Sequence, residues 1–119
     1  MAMQQPFEQA LGAAEELELT VTGRKTGRPS TRPVWFVQEG DTIYLLPVAG
    51  SDTEWLKNVL KNSTLTLTAN GASWTGRAMS ITNPDEVREV VEKLQEKYGA
   101  GEIAKYYSKL DVAVRVPLA

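Results

Sequence analysis

The sequence predicts a single α+β domain built mainly from antiparallel strands. Short runs alternate apolar with polar residues between turn residues, and two longer stretches repeat apolar residues at helical spacing. Strand also follows strand through turns too short for parallel crossovers, which makes the sheet mostly antiparallel. With 119 residues the chain has room for one core, so 1–119 is read as one domain.

Residues 6–16 (PFEQALGAAEE) place helix formers after a proline and predict a short N-terminal helical segment within 1–16. Leu17, Leu19 and Val21 alternate with Glu18, Thr20 and Thr22, a half-buried strand ending at Gly23. Residues 31–38 form its hairpin partner, and Pro33 there points to an edge or a bulge, because proline donates nothing to a ladder. After a turn at Glu39-Gly40-Asp41, residues 42–48 make a third strand that runs into Ala49-Gly50-Ser51. Ser51, Asp52 or Thr53 caps a helix carrying Trp55, Leu56, Val59 and Leu60 on one face and closing at Asn62.

Leu65, Leu67 and Ala69 then alternate with threonines, Asn70-Gly71 supplies a favoured hairpin turn, and 72–81 is the return strand. Asn83-Pro84-Asp85-Glu86 opens a helix in which Val87, Val90, Val91, Leu94 and Tyr98 share a face until Gly99. A second helical piece over 101–110 leads to a last strand, 112–118, which turns Val112, Val114 and Val116 to the core. The sum is about six strands with flanking helices.

A hydrophobic share of 42% and a charged share of 24% fit an ordinary soluble domain. A net charge of −2 argues against a general nucleic-acid binder, whose phosphate contacts need a basic face. Without cysteine or histidine there is no disulfide, thiolate nucleophile or usual general base, and no metal site is expected. The start lacks a basic, then long apolar, leader, and no run approaches the ~20 apolar residues of a bilayer span. A cytoplasmic protein with no integral membrane segment is the expectation.

Against that background, TVTGRKTGRPSTRPVWF (20–36) gathers Arg24, Lys25, Arg28 and Arg32 with no acid between Glu18 and Glu39. A Walker A loop fails because Arg24 precedes the lysine, and 99–104 is no dinucleotide fingerprint because it follows a helix. Two readings stay open: a solvated loop, or an anion site in which Gly23 and Gly27 expose backbone N–H groups beside the Thr26, Ser30 and Thr31 hydroxyls. Trp35, Trp55 and Trp74 are either core or walls for a flat ring, Trp55 being favoured because it opens the helix after the Gly50 loop. Tyr106 and Tyr107 either pack or cover a pocket.

The string TGRKTGRPSTRPVWF (22–36), followed by EWLKNVLKN (54–62), resembles the deazaflavin-dependent nitroreductase family. That family's pattern is Thr-Gly-Arg-Lys-Ser/Thr-Gly-x-Pro-Arg, then Pro-Leu, with a later Trp-Tyr-x-Asn-Leu-x-Ala-Asn-Pro. The resemblance runs from about Leu17 to the last strand. It implies a split β-barrel that binds coenzyme F420, or FMN in related branches, in a groove beside the barrel. By motif, Arg24, Lys25 and Thr26 would meet the cofactor phosphate, Ser30, Arg32 and Pro33 its tail and ring, and Pro47, Val48, Ala49, Gly50 and Ser51 would border the ring. Trp55 and Asn58 fall on the family's matching Trp and Asn. Ser30 replaces a common arginine and 48–51 replace a Ser-Lys/Asn-Gly-Gly loop, departures for which Arg28 or Arg32 would compensate.

The implied activity is hydride transfer from reduced F420 to a small electron-poor acceptor (a quinone, enone or nitro compound), with Tyr106 or Tyr107 covering the acceptor and donating a proton. Such chemistry asks for orientation and exclusion of water, with no nucleophile or metal. The alternatives are an FMN-binding split-barrel protein and a cofactor-binding module without turnover. A homodimer is a further expectation by resemblance. Alanine at Arg24 and Lys25 is expected to weaken binding and leave folding intact, since a hairpin loop holds few core contacts.

Overall fold

The computed structural model describes residues 5–118, so residues 1–4 of the predicted N-terminal segment lie outside it. The first sheet holds β1 (Leu17–Thr22), β2 (Pro29–Val34), β5 (Thr64–Ala69) and β6 (Ala72–Arg77) in the order β2-β1-β5-β6. The second holds β3 (Phe36–Glu39), β4 (Thr42–Leu45), β7 (Met79–Ile81) and β8 (Ala113–Pro117) in the order β3-β4-β8-β7. Every ladder is antiparallel. Helices α1 (Gln5–Ala13), α2 (Glu54–Lys61), α3 (Pro84–Tyr98) and α4 (Ala100–Tyr106) flank the sheets, with one 3-10 turn at Gly50–Asp52.

Two stretches read as single strands are each shared between the sheets, which raises six strands to eight. The run 31–38 divides at Trp35 into β2 and β3, and 72–81 divides at Ala78 into β6 and β7. These two crossings tie the sheets into a split barrel. Pro33 sits on the edge strand β2, where its missing N–H costs no ladder bond. The Asn70-Gly71 hairpin closes with both residues at positive φ (49° and 85°), as a two-residue turn of the first primed type requires.

Between the sheets lies a core of Leu17, Leu19, Ile43, Leu45, Leu65, Leu67, Val112, Val114 and Val116, stoppered by Phe7 and Leu11 of α1 and by Trp55, Leu56 and Val59 of α2. The outer face of the second sheet buries Leu46, Ile81 and Ala113 under Val87, Val90, Val91 and Leu94 of α3 and Ile103 of α4. Asn83 caps α3 as its sequence predicts, accepting from the Asp85 and Glu86 N–H groups at 2.9 and 3.2 Å.

Three local expectations change. Leu60 is 62% exposed, and Asn58 takes a place on the buried face of α2 instead. Thr53 stands at the N-cap of α2, but its hydroxyl turns back to accept the Ala49 N–H at 2.8 Å. The helical piece over 101–110 stops at Tyr106, and the chain then bends towards β8.

The crossing at Trp35 is held from α3. The Phe36 N–H donates to the Tyr98 hydroxyl (3.2 Å), and the Phe36 carbonyl accepts from Lys97 Nζ (2.9 Å) while the phenol also reaches the Glu15 carbonyl. Burial lowers the pKa of this ammonium, which lies 3.5 Å from the Phe36 ring centroid. Tyr98→Phe should leave the Phe36 N–H without its partner and cost about 1–3 kcal/mol, read as a lower denaturant midpoint with an unchanged slope.

Candidate functional site

Where β2 leaves the first sheet the barrel stays open, and a pocket of about 420 Å³ fills the seam. That size falls within the roughly 300–1,000 Å³ of small-molecule sites. Its walls come from β2 and the crossing (Pro33, Val34, Trp35), from the segment after β4 (Leu46, Val48), from the start of α2 (Trp55) and from the end of α4 (Tyr106, Tyr107). Arg32, Glu16 and Thr53 supply the charged and hydroxyl groups. The pocket is thus mainly aromatic and aliphatic, with one cation, Arg32, and one acid, Glu16, among its lining residues.

Register explains the cation. Arg32 lies opposite Leu19, and Leu19 opposite Leu67, so the arginine occupies the inward-facing row of the first sheet. Because β2 is the edge strand beside the open seam, the guanidinium stays exposed, and among the described residues it makes no ion pair or hydrogen bond. Among the described residues neither Arg32 nor the Glu16 carboxylate on the same pocket has a salt-bridge partner.

Trp35 organises the walls. It stacks on Tyr98 with centroids 4.3 Å apart and planes 5° from parallel, meets Tyr106 edge to face at 5.6 Å, and lies 6.2 Å from Tyr107. Each aromatic pair of this kind contributes about 0.5–1.5 kcal/mol beyond its buried area. Sequence reasoning favoured Trp55 over Trp35, and the structure puts both on the pocket. The four consecutive apolar residues Val34-Trp35-Phe36-Val37, which break the strand alternation, were the available signal. Trp74 packs against the barrel core and does not line the pocket. Glu16 and Thr53 were not foreseen as lining, since neither belongs to a motif.

The sequence-selected residues divide into groups. Arg32, Pro33, Val48, Trp55, Tyr106 and Tyr107 meet at the pocket, with Pro47 buried beside Val48. Arg24 does not face it. Its backbone N–H and guanidinium both donate to Asn58 Oδ1 (3.0 and 2.8 Å), and the same guanidinium pairs with Glu54 at 3.0 Å. These bonds fasten the hairpin loop to α2, and they hold the Glu54 carboxyl below its usual range, first through the hydrogen bond and then through the charge of Arg24. The cationic loop therefore does have an acidic partner, 30 residues away in sequence.

Lys25 and Arg28 project into solvent without a salt bridge among the described residues. Thr26 accepts the Arg28 N–H at 3.2 Å and shapes the turn, and Ser30 is half-buried in the row of Arg32. In the loop after β4, the Ala49 N–H goes to Thr53, Gly50 has φ +55°, and both donors of Ser51 go to Asp111. Lack of free polar groups makes this loop a wall.

Tyr106 is 50% exposed and Tyr107 only 8%. Burial, with a smaller contribution from Tyr98, pushes the Tyr107 phenol up to about 12, so it keeps its proton throughout the neutral range.

Two antiparallel sheets joined by crossing strands, with a pocket at their seam, define a split-barrel protein. The chain belongs to the pyridoxamine 5'-phosphate oxidase family, whose model matches residues 12–116. Solved structures share the fold. An F420-H2 dependent reductase (FDR-A) is 20% identical with a TM-score of 0.67, covering 86% of this chain and 93% of its own. A protein described as a putative 5-nitroimidazole antibiotic resistance protein, from Bacteroides thetaiotaomicron, is 17% identical with a TM-score of 0.72, covering 96% and 78%. HutZ, the haem storage protein from Vibrio cholerae, is 16% identical with a TM-score of 0.72, covering 98% and 90%. At these identities the likeness is one of fold, and the fold serves a reductase and a storage protein alike. No curated protein matches the chain in sequence. Among the described residues no helix is long and apolar enough to cross a membrane.

Arg24→Ala should destabilise the fold, contrary to the expectation from the loop alone, because it removes the guanidinium bonds from the hairpin loop to Asn58 and Glu54, although the backbone N–H at position 24 still meets the Asn58 carbonyl; the loss is about 1 kcal/mol, measurable by urea denaturation. In an alkaline titration followed by phenolate absorbance, one tyrosine should ionise only near pH 12, and Tyr107→Phe should remove that step.

Proposed function

We propose that this protein is a deazaflavin-dependent oxidoreductase, passing a hydride from reduced coenzyme F420 to a small, flat, electron-poor acceptor such as a quinone, enone or nitro compound. The unpaired, inward-row Arg32 at the side of an aromatic pocket carries this reading. A ring system needs flat apolar walls, and a phosphorylated tail needs a cation that is not already neutralised; the pocket has both. The sequence resemblance and the F420-H2 dependent reductase of the same fold support the choice of cofactor. The nitroimidazole resistance protein supports the choice of acceptor class.

When bound, the deazaflavin supplies a hydride from a ring carbon. The chain's own residues do the rest. Arg32, with Lys25 and Arg28 nearby in the hairpin, attracts and orients the anionic end. Trp55, Val34 and Val48 hold the ring and keep water out. Tyr107, neutral and largely buried, holds a proton on Oη for the acceptor, and the half-exposed Tyr106 covers it. Arg24 acts through α2 and keeps Trp55 in place.

FMN is the second reading, supported by the match to the oxidase family. Purified protein titrated with F420 and with FMN, each oxidised and reduced, separates the two. Binding at micromolar levels followed by acceptor-dependent oxidation is the expected result with F420. If neither cofactor binds at that level the enzyme reading fails, and binding without oxidation identifies a module that holds its cofactor without turnover. Arg32→Ala should weaken cofactor binding by about ten- to a hundred-fold, the loss of one charge-assisted bond, without moving the denaturation midpoint. Tyr107→Phe should slow acceptor reduction by about 10²-fold or more at near-normal cofactor affinity.

A further inference from the structure

Two walls of the pocket, the segment after β4 that carries Val48 and the chain that leaves α4 at Tyr107, lie outside the ladders of both sheets. A clasp joins them. Ser108 N–H donates to the Val48 carbonyl at 2.9 Å, and Ala49 pairs with Lys109 in a one-residue parallel bridge. Asp111 closes it: one carboxylate oxygen accepts the Ser51 N–H at 2.9 Å and the other the Ser51 hydroxyl at 2.7 Å. We infer that Asp111 is a positioning residue of the pocket, and that by gripping Ser51 with both oxygens it fixes the separation of Val48 from Tyr107.

Gly50 shows how closely the two segments meet. A Cβ at this position would lie 2.1 Å from Asp111 Oδ1 and 2.9 Å from the Lys109 carbonyl, and its φ of +55° is itself unfavourable for a side chain. Lys109 stands 3.3 Å from Asp52 and 3.8 Å from Asp111, balancing the two carboxylates around the clasp. Asp111, Ser51 and Lys109 are all exposed, so the barrel core does not depend on them. Two charge-assisted bonds at the surface add little to global stability, but they decide where a short unladdered loop sits. Supporting groups of this kind set the width of a binding site without touching its ligand.

The effect on cofactor rests on the proposed oxidoreductase reading; the clasp itself does not, and the experiment separates them. Amide hydrogen exchange at Ser51 and Ser108 and acrylamide quenching of the tryptophans are measured without ligand on wild type, Asp111→Ala and Asp111→Asn, followed by F420 and FMN titration of each. Asp111→Ala should speed exchange at both amides and weaken cofactor binding, each by about ten-fold, and raise quenching, with the denaturation midpoint unchanged. Asp111→Asn should restore most of both, because its amide oxygen still accepts the Ser51 N–H and the hydroxyl can rotate to accept from its NH₂. If Asp111→Ala does not fold, Ser51→Ala, which removes only the hydroxyl arm, should give smaller changes in the same direction. Unchanged exchange at Ser51 and Ser108 overturns the clasp, and faster exchange with unchanged quenching and affinity overturns its role in the pocket. If wild type binds neither cofactor, the oxidoreductase reading falls, and exchange and quenching alone decide the clasp.

Discussion

A strand that leaves one sheet for another must satisfy its backbone where no ladder exists, and this constraint at Trp35 shapes most of the molecule. Phe36 begins β3 on the open edge of the second sheet, so its N–H and carbonyl have no strand on that side. Tyr98 and Lys97, in the last turn of α3, meet both groups. A buried amide left unpaired would cost about 1–3 kcal/mol, so α3 has to end where it does. The same anchoring stacks Tyr98 against Trp35 and fixes the ring around which the pocket walls gather.

Once the crossing is fixed, the chemistry of the seam follows from the two-residue period of β2. Val34, Arg32 and Ser30 face inward, opposite Leu17, Leu19 and Val21. In a closed barrel an arginine in that row would be desolvated at prohibitive cost. Here the sheets part beside β2, so the row passes from the apolar Val34 through Arg32 to the polar Ser30 over a few residues. A ligand with a flat apolar end and an anionic end matches this gradient.

Much of this was legible in the sequence, and what escaped has a common physical origin. Strand alternation, the Asn70-Gly71 turn and the Asn83 cap are local signals, and they place β1, β5, the start of β6 and α3 correctly. Alternation cannot report which sheet a strand joins, so the divisions at Trp35 and Ala78 were read as continuous. Leu60 looked like core because helical spacing gives a face but not its width, and the buried Asn58 takes up that surface through its bonds to Arg24. Asp111 was invisible for a similar reason: its partner lies 60 residues earlier, and no motif links them.

The four cations of the hairpin illustrate the same limit in electrostatic terms. From sequence they form one positive field with no acid between Glu18 and Glu39. In three dimensions Arg24 is matched by Glu54 at 3.0 Å, and a neutralised pair contributes little potential to a ligand several ångströms away. Lys25 and Arg28 keep their charge but stand in water, where screening limits them to guiding an anion towards the site. Arg32 alone combines an unmatched charge with walls of low polarity, and an ion–anion contact gains most where water is partly excluded. Affinity for an anionic tail therefore concentrates on Arg32, and the rest of the cluster divides between holding α2 and long-range attraction.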